Sequence, residues 1–269
     1  STMLKDYQPD VVRAAIPEEP LPAEVRAVYL RPGELLAAQR RTPVAFQPLG
    51  TLEWHGRHNP LGCDAIKAEE LCIAAAKEGG GVVMPPIFFA ADAYRDCGKG
   101  YGLGMDPVAG FLLPGSFYRI ASEALRDLLV TACENYLARG FALVVLVSGH
   151  NCAIQQSVMD EVCYVLKSRQ GAEPVFATME YTLIPEGDSR RRGDHGGGYE
   201  TSMMLHLVPD RVNLRANDGQ ADPAVALYEA FPVAEASGAR GAERFEQQLR
   251  GLVAATAERV RRLDPNRDP

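Results

Sequence analysis

No Cys-x-x-Cys pair occurs in this chain, although it has six cysteines, at positions 63, 72, 97, 133, 152 and 163. Cys72, Cys133 and Cys163 fall inside helical patterns, where a free thiol behaves as a small hydrophobe. A reduced, cytoplasmic compartment is expected rather than a disulfide framework. No run of about eighteen apolar residues is present, so no membrane-spanning helix is expected. The first residues, Ser1-Thr2-Met3-Leu4-Lys5, do not read as a signal peptide. Basic stripes are missing and the net charge is -7, which argues against a nucleic-acid partner. The absence of a G-x-S-x-G elbow disfavours a serine hydrolase of the α/β-hydrolase type. Internal repeats and low-complexity linkers are also absent. One domain over 32–269 is expected, preceded by a proline- and charge-rich arm over 1–31 that wraps the domain or a neighbouring subunit.

Of the 269 residues, 46% are hydrophobic, so a sizeable core can form. Apolar runs predict strands over 42–49, 81–85, 141–147 and 174–178. Continuous apolar character over 141–147 implies burial on both faces, as in a parallel sheet. Helical patterns cover 32–38, 64–77, 116–139, 153–169, 201–205 and 241–263. Alternation of strand and helix predicts a single-domain α/β sandwich, its central, mainly parallel sheet flanked by helices. Region 85–117 reads as long and irregular. It contains Gly98-Lys99-Gly100-Tyr101-Gly102-Leu103-Gly104, which lacks the Ser/Thr and preceding strand of a phosphate loop. A mobile active-site or interface loop is the better reading.

The stretch from Pro48 to Asp64 stands out. Glu53, His55, His58 and Asp64 place two carboxylates and two imidazoles within twelve positions. Carboxylate oxygen with imidazole nitrogen suits a borderline divalent ion such as zinc or manganese. Residues two apart in extended chain point to opposite sides. Glu53 and His55 would then grip two ions, with Asp64 between them as a bridge. A solvated polar loop, with Asp64 as the N-cap of the next helix, accounts for the same residues. Right-handed crossovers put the C-terminal ends of successive parallel strands on one edge, where ligands bind. The Glu53 stretch, His150 and the loop after Thr178 all leave strands at that edge.

Four motifs carry a resemblance over residues 42 to 212. Gly50-Thr51-Leu52-Glu53-Trp54-His55-Gly56 is similar to G-A/S-x-E-Q-H-G. Pro60-Leu61-Gly62-Cys63-Asp64 is similar to P-L-G-T-D, and Ser148-Gly149-His150-Asn151 to N-G-H-x. The run from His195 to Leu205 resembles H-A/G-G-x-x-E-T-S-x-M-L. Together they resemble the creatininase family of metal-dependent hydrolases. The resemblance implies a dinuclear site of zinc or manganese, with iron also possible, and a homo-oligomer, often a hexamer. By family role Glu53, His55, Asp64 and His150 would be ligands, Asp64 bridging. His195 would be the catalytic histidine that handles protons on the attacking water or the leaving group.

Creatininase itself has a ligating glutamate two residues after the motif histidine, where this chain has Cys152. Glu200 is the preferred replacement, with Cys152 and Glu180 in reserve. Creatininase surrounds its substrate with tryptophans, whereas the only one here is Trp54, inside the metal motif. Glu180 and Arg190-Arg191-Arg192 mark the matching loop. The expected substrate is therefore not creatinine but a small polar ring: a cyclic amide, a lactone or a polyol-derived cyclic ketone such as a dehydro-inosose. Trp54, His58, Glu180 and Cys152 are candidates for contacting it or for orienting the ligands. Two other functions remain. One is a cysteine-dependent hydrolase in which Cys152 is activated at a helix N-terminus near His150. The other is a non-catalytic, metal-stabilised binding protein.

Overall fold

The computed structural model describes residues 16–17, 19–92, 94–96, 101–222 and 224–263. Its elements in chain order are α1 (Pro32–Arg41), β1 (Val44–Leu49), α2 (Cys63–Gly79), β2 (Val82–Val83), β3 (Tyr94–Asp96) and β4 (Tyr101–Leu103). There follow α3 (Asp106–Ala109), α4 (Ser122–Ala138), β5 (Leu143–Ser148), α5 (Ala153–Gln170), β6 (Val175–Met179), α6 (Gly198–Leu207) and α7 (Gly238–Leu263). Four strands form one parallel sheet in the order β2-β1-β5-β6. The expected α/β architecture is the observed one.

Every residue of β1 and β5 is buried, because both sheet faces are covered. Ala45, Leu49, Val144 and Leu146 turn to one face and pack with Leu125 and Leu129 of α4 and Met159 and Val162 of α5. Their neighbours Val44, Phe46, Leu143, Val145 and Val147 turn to the other, against Leu71 and Ala75 of α2 and Leu252 of α7. Each large apolar side chain so buried contributes about 1.5–3 kcal/mol relative to exposure. Helix boundaries follow local chemistry. Pro32 opens α1, and the Glu34 carboxylate accepts the Arg31 backbone N–H at 2.9 Å. Helix α5 ends at Gly171, in the left-handed region.

Three expectations change. Region 85–117 is not wholly irregular: β3 and β4 pair antiparallel, and α3 follows. Residues 97–100 of the glycine-rich stretch lie outside the described residues. Helix α4 begins at Ser122 rather than 116, because Arg119 is drawn into a bridge with Ala90. Asp64 is not an N-cap: Gly62 takes that place and Asp64 lies inside the first turn of α2, its carboxylate free for other partners. Of the arm, 1–15 and 18 lie outside the described residues. Further along, Val25 accepts the Val83 N–H and Arg26 bridges Val83 along β2.

Two glycines decide how near α2 comes to the sheet edge. A Cβ on Gly50, just after β1, would stand 2.3 Å from the Ala65 nitrogen. One on Gly149, just after β5, would stand 2.0 Å from the Asp64 carbonyl oxygen. Any side chain at either position would push the first turn of α2 away and take Asp64 with it.

Candidate metal centre

His150 Nδ1 lies 3.0 Å from Glu53 Oε1 and 3.2 Å from Asp64 Oδ2. The three ligand atoms come from the ends of β1 and β5 and the start of α2, and all lie within 4.8 Å of one another. Asp64 turns its other oxygen, Oδ1, to His55 Nε2 at 3.2 Å. The same imidazole nitrogen is 3.8 Å from Glu53 Oε1 and 3.5 Å from Glu200 Oε2. Asp64 thus presents one oxygen to each imidazole. All five side chains are buried, Glu53 the most exposed at 6%.

Burying several carboxylates together costs free energy unless positive charge accompanies them. The titration of their neighbours reflects that demand. Burial opposes a charged His55, but Asp64, Glu200 and Glu53 outweigh it and raise the ring to about 9. Burial likewise opposes a charged His150, and Glu53 with Asp64 raises it well above the ordinary value. Asp64 is held well below the usual carboxylate range, with His55 and Lys67 overcoming its burial.

His195 sits differently. Its backbone exchanges two hydrogen bonds with Tyr228, each 2.9 Å, which fixes its position before α6. Its ring stacks on His55 with centroids 4.4 Å apart. The Nε2–H donates to the Trp54 carbonyl at 2.5 Å, leaving Nδ1 turned toward Glu53 Oε1 at 3.8 Å. Burial first, and the adjacent His55 second, push its pKa down. The neutral ring therefore carries its proton on Nε2 and a free lone pair on Nδ1.

Several contributors carry no motif signal. Asp92, after β2, places Oδ2 3.5 Å from His150 Nε2 and accepts from Cys152 Sγ at 3.1 Å. Lys67, fully buried, forms an ion pair with Glu200 and lies 3.4 Å from Glu180 Oε1 and 3.5 Å from Asp64 Oδ1. Its spacing of three from Asp64 on one helix face was the available signal. Asp194 accepts the N–H groups of Tyr199 and Glu200 and so closes the start of α6. Burial and Glu200 raise it to about 7.

The remaining candidates fall in two groups. Trp54 is part of the centre through its carbonyl, while its indole N–H is committed to Val225 O at 3.1 Å. Cys152 stands at the start of α5 with its thiol on Asp92. Glu180 is turned inward: Oε1 meets Lys67 and the Asn151 amide, and Oε2 accepts the Tyr181 N–H. It is 3% exposed, so it supports Lys67 instead of facing a substrate. His58 is also buried, and it meets Thr201 at 2.9 Å and Asn217 at 3.1 Å, not the ligand atoms. It acts on α6, one residue beyond Glu200.

A family model described as creatinine amidohydrolase (creatininase) matches residues 29–261. The chain is 28% identical over 198 residues to a creatinine amidohydrolase from Pseudomonas putida, covering 71% of this chain and 74% of the relative. It is 22% identical over 246 residues to a mycofactocin precursor peptide peptidase from Mycolicibacterium smegmatis, covering 84% of this chain and 87% of that protein. Solved creatininases share the fold. A manganese form superposes with a TM-score of 0.68 at 20% identity, covering 87% of this chain and 98% of that one. A mutant of Zn-Zn type gives 0.66 at 22% identity with the same coverage.

Proposed function

Because the chain belongs to the creatininase family, we propose that it is a metal-dependent hydrolase acting on a small polar cyclic substrate. The observation that carries this reading is the convergence of Glu53, Asp64 and His150 on one buried point. Two carboxylate oxygens and an imidazole nitrogen, with no thiolate among them, suit zinc or manganese, and iron as a third choice. The orientation of His150 fits as well, since a metal-bound imidazole commonly turns its other nitrogen toward a carboxylate, here Asp92 at 3.5 Å. His55 and Glu200 border a second position on the far side of Asp64. A divalent ion bound in this centre would supply a nucleophilic water at neutral pH and polarise a carbonyl.

The chain's own groups do the rest. His195 Nδ1 takes the proton from the attacking water and returns it to the leaving atom, while the Trp54 carbonyl holds the ring in the required tautomer. A recess of about 10 Å³, room for little more than one water, is bordered by Thr51, Ser116, Tyr118 and Arg119 beside Glu53 and His150. The polar character of this border favours a polar ring over an apolar one: a cyclic amide, a lactone or a polyol-derived cyclic ketone. The one tryptophan is in the metal motif, its indole N–H bonded to Val225, so creatinine is not the expected substrate. One relative is named for amide hydrolysis and the other for peptide hydrolysis, so amides are the first class to test.

A thiol mechanism through Cys152 has one observation behind it, the grouping of Asp92, His150 and Cys152. The Cys152 S–H is directed to the Asp92 carboxylate, and a thiol mechanism would leave Glu53 and Asp64 without a role, which favours the metal reading. The protein is further proposed to act as a cytoplasmic homo-oligomer, a hexamer in the family arrangement, with 32–269 as its catalytic domain. Unpaired thiols at five described cysteines suit that compartment. Val108, Phe111, Leu112 and Phe117 offer exposed apolar area for subunit contact. No helix among the described residues is long and apolar enough to cross a membrane. The deciding experiment is elemental analysis of protein purified without chelator, joined to a screen of cyclic amides, lactones and cyclic ketones. Metal near or above one ion per chain and chelator-sensitive turnover are expected. Metal-free protein with chelator-resistant turnover would overturn the proposal.

A further inference from the structure

Lys67 is the feature of the centre that the hydrolytic scheme leaves unused. Its side chain is completely buried, yet each of its ion-pair partners among the described residues is a carboxylate beside the site. Nζ pairs with Glu200 Oε1, stands 3.4 Å from Glu180 Oε1 and stands 3.5 Å from Asp64 Oδ1. The aliphatic stem runs up the first turns of α2, because Lys67 follows Asp64 by three residues and so shares its face. No solvent reaches the ammonium, and Glu180 and Glu200 are themselves 3% and 4% exposed.

We infer that the Lys67 ammonium takes the place of a second divalent ion, so that the centre holds one ion tightly at Glu53, Asp64 and His150. The two possible positions are not equivalent. At the first, Glu53, Asp64 and His150 bring three ligand atoms together and no cation of the protein intervenes. At the second, His55, Cys63 and Glu200 bring ligand atoms within 4.8 Å of one another and Asp64 Oδ1 lies 3.2 Å from His55 Nε2, so an ion there would draw on the Asp64 and Glu200 carboxylates. Asp64 Oδ1 and Glu200 Oε1 both face Lys67 Nζ, and Glu200 Oε2 already accepts the Gly196 N–H at 2.7 Å. Carboxylate oxygens bind zinc at about 2.0–2.2 Å, so both groups would have to close on the ion. The ammonium already faces both carboxylates and repels the incoming charge through a medium with little water.

Lys67 also explains the third carboxylate. Glu180 touches neither imidazole of the two positions, and it makes sense as counter-charge to a permanent cation. Its Oε1 is shared between Lys67 and Asn151, and its Oε2 receives the Tyr181 N–H, so it is fixed for that role. A centre built for two exchangeable ions would have no use for a buried ammonium with three acidic partners. A centre built for one ion and one permanent cation uses all of them.

This inference rests on the metal reading proposed above, and the test separates the two. Metal-stripped wild-type protein is titrated with Mn²⁺ and followed by elemental analysis after gel filtration and by electron paramagnetic resonance. One tight ion per chain, with an uncoupled Mn²⁺ spectrum after two equivalents, is expected. Two tight ions per chain with an exchange-coupled spectrum would overturn the inference and leave the hydrolase reading standing. No tight ion at all would overturn both. Lys67→Met keeps the length and apolar stem and removes the charge. The second equivalent should then bind about a hundredfold more tightly or better, with the coupled spectrum emerging. A folded Lys67→Met that still takes only one ion would refute the part assigned to Lys67. If that variant does not fold, the wild-type stoichiometry decides alone.

Discussion

Glu200→Gln removes one charge from a buried ion pair, with Lys67, while keeping the shape of the side chain. Lys67 would keep Glu180 at 3.4 Å and Asp64 at 3.5 Å, so it is weakened in its pairing rather than orphaned. Breaking a buried pair by removing one partner costs about 3–5 kcal/mol, and the two remaining carboxylates put this case near 3. Unfolding entropy of about 2.1 cal/mol/K per residue over 269 residues gives about 0.56 kcal/mol/K, hence a fall in Tm of about 5 °C. The Gln amide also cannot satisfy both the Gly196 N–H and Lys67 with acceptors, which adds to the cost. Calorimetry on metal-stripped protein reads the effect without interference from the ion. Combining the change with Lys67→Met and Glu180→Gln should recover most of the loss, because neither Lys67 nor the carboxylate left facing it is then charged and unpaired. A Tm within about 1 °C of wild type, or a triple variant no better than Glu200→Gln, would show that the pair carries none of this energy. Metal content should remain at the wild-type level. A parallel loss of the tight ion would make Glu200 its ligand and refute the division of labour drawn here.

Other outcomes follow from the same geometry. His195→Asn should lower turnover by roughly a hundredfold or more with metal content intact, read by steady-state kinetics beside elemental analysis; loss of metal would make His195 a ligand instead. Asp92→Asn should weaken metal affinity by about 10–100-fold, measured by competition with a chelating dye, because the carboxylate facing His150 Nε2 at 3.5 Å loses its charge. Unchanged affinity would remove Asp92 from the centre. Cys152→Ser should keep most of the turnover; its loss with metal retained would favour a nucleophilic thiol. Light scattering at micromolar concentration should report a multimer, and a monomer near 29.2 kDa would count against subunit contact through the 108–117 surface.

The strands at β1 and β5 were legible in the sequence because parallel strands covered on both faces must be apolar without interruption. The helices read well for a related reason: Gly and Pro at their ends and apolar residues on one face are local properties of the chain. Glu53, His55, Asp64 and His150 could be picked out because carboxylates and imidazoles of the donor type lie next to strand ends, and the topology alone puts those ends on one edge. What the sequence could not determine is set by contacts between distant segments. Lys67 reads as an ordinary helix-surface lysine until α6 and the end of β6 bring Glu200 and Glu180 over it. Asp92 reads as loop polarity until β2 and β5 are aligned and His150 faces it. Glu180, a reserve ligand by its place after a strand, becomes the partner of a lysine because its χ angles follow the packing, not the motif. Composition and periodicity fix which faces are buried. Which buried charges meet depends on the approach of α2 to the sheet, and that approach is set by the missing Cβ atoms of Gly50 and Gly149.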